Sequence, residues 1–215
     1  MPTDAMLILN QWFSPGYPLG SFAYSHGLEG AIQDGRIATA AQLEDWLHDI
    51  VTQGTGRSDA VLLHAATRCT DAQAALALDA QARAFSLSAE RLLETCQQGA
   101  AFVRTTAAVW QVDLPPALCF PVAVGFAARA LGLPPQLTAT LYLQAFVANL
   151  VSCAVRLVPL GQTQGQAVLH RLAPLCARIS ADTRDTDLDA LSGATFAADI
   201  AAMQHETLTH RTFRT

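Results

Sequence analysis

"TAAQLEDWLHDIVTQGTG", Thr39 to Gly56, decides the fold class. Leu43, Trp46, Leu47, Ile50 and Val51 recur at i, i+3, i+4, i+7 and i+8, which sets them on one stripe of an α-helix. Thr39 and Gln42 have the spacing of a capping box at its start, and Gly54 and Gly56 close it. The same period returns after Ser88, an N-cap, where Leu92, Cys96, Gly99, Val103, Ala107 and Trp110 share a face. Glycine in that row reads either as close approach by another helix or as a tolerated defect. Further helices are predicted at about 118–131 and 136–156, separated by "GLPP", at about 163–180 with a kink at Pro174, and at about 197–205. Period-2 alternation nowhere extends beyond a few residues. The expectation is therefore an all-α chain, a single compact bundle of about eight to ten helices spanning residues 1–215, without repeats or a long linker.

Composition narrows the function. The 215 residues are 51% hydrophobic and only 14% charged, more apolar surface than one monomer hides easily, which points to obligate partners. A net charge of -5 argues against nucleic acid. The Asp-rich run "ADTRDTDLDALSG" reads as a solvated loop. All 13 basic residues are arginine, so neither a phosphate-loop lysine nor a Schiff-base lysine exists. The five cysteines show no CxxC and read as small buried hydrophobes in a reducing compartment. The start, "MPTDAMLILN", lacks the basic cluster of a signal peptide. Residues 130–155 carry no charge, but prolines and polar residues favour a buried helix over a membrane span. A cytoplasmic protein follows from these readings.

Three segments remain outside this pattern. "WFSPGYPLGSFAYSHGLEG", Trp12 to Gly30, is rich in glycine and aromatics, with Glu29 its one charge. It reads as part interface and part core, or as an internal loop closing the bundle. Its "AYSHG" resembles a nucleophile elbow, but no strand leads into it. In "NLVSCAVRLVPLGQTQGQ", Asn149, Ser152 and Arg156 form a thin polar line; Arg156 either caps its own helix or meets an acidic partner group. In the tail, 204–215, only Leu208 and Phe213 offer apolar burial, so disorder or weak docking is expected until a partner orders it. His205 and His210, at i, i+5, would point about 140° apart on a helix, poor geometry for a shared metal.

Taken in order, "SPGYPLGSFAYSHGLE", "RLVPLGQ" and "HETLTHRTFRT" resemble the three motifs of the urease accessory protein UreF family. The resemblance spans nearly the whole chain. It implies an all-α, non-enzymatic dimer without cofactor or resident metal. In that family the protein bridges a UreD/UreH-type accessory protein and the nickel-carrying GTPase UreG. It thereby serves nickel insertion into apo-urease and shapes the GTPase cycle or metallocentre fidelity. The partner-binding positions it implies are Tyr24, Glu29, Arg156, Gln162, His205, Glu206, Arg211, Phe213 and Arg214. Leu208, Thr209, His210 and Thr212 depart from the family's pattern. The competing expectation is a helical enzyme or small-ligand-binding bundle with a pocket around Arg156.

Overall fold

The structure, a computed structural model, describes residues 2–214. Among them are ten α-helices, two single 3-10 turns and no strand. The helices are α1 (Pro2–Trp12), α2 (Leu28–Gln33), α3 (Ala40–Gln53), α4 (Thr55–Arg68), α5 (Ala72–Ala84), α6 (Ala89–Trp110), α7 (Phe120–Ala130), α8 (Pro135–Leu157), α9 (Gln162–Asp182) and α10 (Phe196–His205). The all-α bundle expected from the sequence is what the chain forms.

Local chemistry starts these helices as the sequence indicates. The Thr39 hydroxyl accepts the Gln42 amide at 3.3 Å, and the Gln42 side chain accepts the Thr39 amide at 3.1 Å. Ser88 Oγ accepts the Arg91 amide at 3.1 Å and Asp71 Oδ1 that of Ala74 at 2.8 Å, so each hydrogen-bonds a first-turn N–H that the helix leaves free. One boundary is corrected. Gly54 alone separates α3 from α4, and Gly56 lies inside α4 instead of closing α3.

Packing is led by α4 on α7 and α8 on α9, with α6 on α7 and α3 on α9 around them. Buried α4 side chains run from Ala60 through Ala66 without a break, because neighbours cover α4 on several sides. Helix α8 is long and apolar enough to cross a bilayer by length and composition, yet half of its most apolar stretch is buried against the other helices. Trp12, fully buried, stands edge-on to Phe102 at 4.9 Å and to Trp110 at 5.8 Å between ring centres, which pins the end of α1 to α6. Gly99 allows α6 to touch the chain entering α7: a Cβ there would collide with the Leu118 carbonyl oxygen. Close approach, one of the two readings of that glycine, is the one realised.

Candidate functional site

The chain between α1 and α2 first walls a cleft and then dives inward. After Gly20, one 3-10 turn at Ser21–Ala23 leaves Phe22 69% exposed, whereas every residue from Tyr24 to Ala31 is buried. The reversal into α2 uses two consecutive left-handed residues, His26 (φ 59°) and Gly27 (φ 74°). At Gly27 the absent side chain matters twice, because a Cβ would also lie 2.7 Å from the Ala202 nitrogen of α10. Ser25 is fully buried and its hydroxyl accepts the Glu29 amide at 3.2 Å, the opposite of an exposed nucleophile.

That turn points Glu29, 2% exposed, at the end of the chain. Its carboxylate accepts the backbone amides of Thr212 at 2.8 Å and Phe213 at 3.0 Å and faces His205 Nε2 at 3.2 Å. Burial alone would raise the Glu29 pKa, but the bonds from Thr212, Phe213 and His205 outweigh it and hold it below its ordinary value. The other ring nitrogen of His205, itself fully buried, meets Glu90 at 2.8 Å, and Glu90 receives Arg211 at 2.7 Å. The result is a row Glu29–His205–Glu90–Arg211 joining α2, α10, α6 and the tail. Glu206 adds a further tie by accepting the amides of Ala89 and Glu90 at the start of α6, where the helix dipole favours an anion.

A second set of contacts closes over the row. Phe213 is 5% exposed, and the Arg156 guanidinium sits 4.7 Å from its ring centre. Arg156 also donates to the carbonyls of Ser152 at 3.2 Å and Phe22 at 3.4 Å. It thus both caps its own helix and clamps the tail to the 3-10 turn. The Arg214 amide donates to the Ala23 carbonyl at 2.7 Å, and Gln97 accepts from the Tyr24 hydroxyl and from Arg214.

Eight of the nine residues singled out in the sequence therefore converge: Tyr24, Glu29, Arg156, His205, Glu206, Arg211, Phe213 and Arg214. Gln162 does not; it opens α9 on an exposed surface and takes no part in the bonds above. In this structure the tail lies against the bundle, held by its backbone amides on Glu29, by His205 and by the buried Phe213. Tyr24, Glu29, His205 and Phe213 are buried, whereas Arg156, Glu206, Arg211 and Arg214 are exposed at the surface. Glu90 and Gln97 escaped sequence reasoning, since a glutamate in the first turn of α6 looks like ordinary helix chemistry and no spacing ties it to residue 205.

Next to this cluster opens a cleft of about 470 Å³ walled by residues 12–22 together with Phe120, Tyr142 and Phe146. At its floor the Tyr142 hydroxyl donates to Asp59 at 2.6 Å, while Glu94 receives Arg91 and Gln98. Burial pushes the Asp59 carboxyl up to about 6. Asn149 and Ser152 line the cleft but Arg156 does not, so the pocket expected around Arg156 is displaced toward the N-terminal loop. Among the described residues no three His, Cys, Asp or Glu side chains are grouped to hold a metal ion.

Residues 37–173 match the family described as UreF. The chain is 53% identical over 215 residues to a protein of Roseobacter denitrificans named urease accessory protein UreF, covering all of this chain and 96% of the relative. Equally named proteins of Ruegeria pomeroyi (47% over 215 residues, 100% and 99% covered) and Cereibacter sphaeroides (52% over 211 residues, 98% and 99% covered) are similar throughout.

Proposed function

The chain belongs to the UreF family of urease accessory proteins, and on that premise we propose that it serves nickel insertion into apo-urease as a non-enzymatic bridge. In this reading it joins a UreD/UreH-type protein to the UreG-type GTPase in the cytoplasm, and it modulates the GTPase cycle or the fidelity of metallocentre assembly. Nickel is the cargo of the assembly. This chain contributes shape and charge.

The observation that carries the reading is the convergence of all three motif segments on one surface. The interior row fixes the tail. Arg156, Arg211 and Arg214 then stand outward beside the exposed Phe22, a mix of arginine and aromatic side chains of the kind that anchors protein interfaces. Homodimer formation is supported by a separate apolar row on α10, Phe196, Ile200 and Met203, exposed by 72%, 46% and 46% at i, i+4 and i+7.

Co-expression with the urease accessory proteins, pull-down and a urease assay test the bridge. Arg214→Glu combined with Phe22→Ser should abolish capture of the UreD-type partner and urease activation, with Tm within about 2 °C of the parent because both side chains lie at the surface. Undiminished capture would remove this surface from the function. Light scattering should give a mass of about two chains.

A further inference from the structure

Cys96 and Cys119 approach each other outside the tail cluster, with sulfurs 4.0 Å apart. Cys96 is half-buried on α6, and Cys119 is buried where the chain enters α7. Neither backbone is free to drift. One turn beyond Cys96, Gly99 lets α6 lie directly on residues 118–120, and the Phe120 amide donates to Thr95 Oγ1 at 3.2 Å. The Cys119 amide donates to Asp79 at 2.5 Å. Arg83 gathers the same groups: it donates to Asp79, to Cys96 Sγ at 2.9 Å and to the Ala117 carbonyl.

We propose that Cys96 and Cys119 are a redox modification site that a hydroperoxide converts, reversibly, into an intramolecular disulfide. The sulfurs must close by about 2 Å to reach the bonding distance of about 2.0 Å, a movement of side-chain torsions with the two backbones already in contact.

The half-exposed Cys96 reacts first. Its sulfur attacks one peroxide oxygen; the S–O bond forms, the O–O bond breaks, and the thiol proton leaves with the departing oxygen as water. The Arg83 guanidinium lies where charge develops on that sulfur. Cys119 then attacks the Cys96 sulfenic acid: the S–S bond forms, the S–OH bond breaks, and the Cys119 proton leaves in a second water. Two electrons pass from the thiols to the peroxide. Burial, reinforced by the charge of Asp79, pushes the Cys119 thiol up, which slows its attack. The bond ties α6 to the start of α7.

The full-length chain treated with hydrogen peroxide, quenched and alkylated in denaturant decides the matter. Free thiols should fall from five to three, and a non-reducing tryptic map should join peptide 92–104 to peptide 105–129. Dithiothreitol should restore all five, and oxidation should raise Tm by about 5–10 °C. In Cys119→Ser, dimedone should capture sulfenic acid at Cys96. Five thiols left free, a bond through any other cysteine or between chains, or Cys96 oxidised to sulfinic acid beside an alkylatable Cys119 would each overturn the proposal in the parent protein, whatever the variant does.

Discussion

Trp12–Phe22 and Tyr24–Gly30 adjoin in sequence and share a composition of glycine, aromatics and small residues, yet they end in opposite surroundings. The first half stands as one wall of an open cleft, with Phe22 in solvent. The second is buried throughout. Glu29 makes the difference. An apolar wall needs no specific acceptor, whereas a buried carboxylate requires donors, and the donors here are the last residues of the chain. A single charge in an otherwise uncharged stretch thus determines where the C-terminus goes.

The largest blow to that contrast is Glu29→Ala. It leaves two backbone amides and one side of His205 without their acceptor, a loss of about 3–5 kcal/mol, or roughly 6–20 °C in Tm for a chain of this size. Phe22→Ala in the open half should change stability by less than about 0.5 kcal/mol. Equal effects in thermal unfolding would dissolve the distinction. The pH dependence has a definite sign. A carboxyl held below its ordinary pKa stabilises fully above the unfolded value and loses that contribution as pH falls through the folded value. The Tm advantage of the parent over Glu29→Gln should therefore shrink between about pH 5 and pH 3.

Phe213→Ala comes next, at about 2–4 kcal/mol, since it empties a buried site that the Arg156 guanidinium covers. Measured by chemical denaturation, a value below about 1 kcal/mol would mean that the polar row alone holds the tail. On the open side, Asp59→Asn should stabilise by about 1–2 kcal/mol above pH 6, because burial disfavours the charged carboxyl while the amide oxygen still accepts from Tyr142. The gain should fade as pH falls from about 6 to about 4, where the carboxyl protonates in both states. Arg156→Ala is smaller still, about 0.3–1 kcal/mol. Its side chain is exposed, so a larger loss would place Arg156 among the supports of the tail and not at its edge.

Most of the bundle was legible because α3, α6, α7, α8, α9 and α10 carry either a clean apolar stripe or an explicit start signal. Helix α4 was not, since covering neighbours leave it no polar face to give contrast, and α5 is so rich in alanine that its buried and exposed positions look alike. Pro174 was legible as lying within a helix, and α9 indeed runs through it, ending at Asp182 close to the expected Ser180. At the candidate site, family resemblance singled out residues of which eight converge in space, but not which of them face inward. Counting apolar residues in 204–215 made the tail look unable to hold itself, because nothing in sequence reveals that a carboxylate 184 positions earlier accepts the Phe213 amide. Long-range satisfaction of backbone donors carries no local periodicity.

The same separation sets a timetable. A ribosome adds about 5–20 residues per second, so the 176 positions between Glu29 and His205 amount to on the order of 10–30 s of synthesis. Throughout that interval the Gly27 surface of α2 has no α10 to cover it, and Glu29 has no amide to receive. The N-terminal motif is thus made first and completed last: every nascent chain displays it open until residues 205–213, which shut it, have been synthesised.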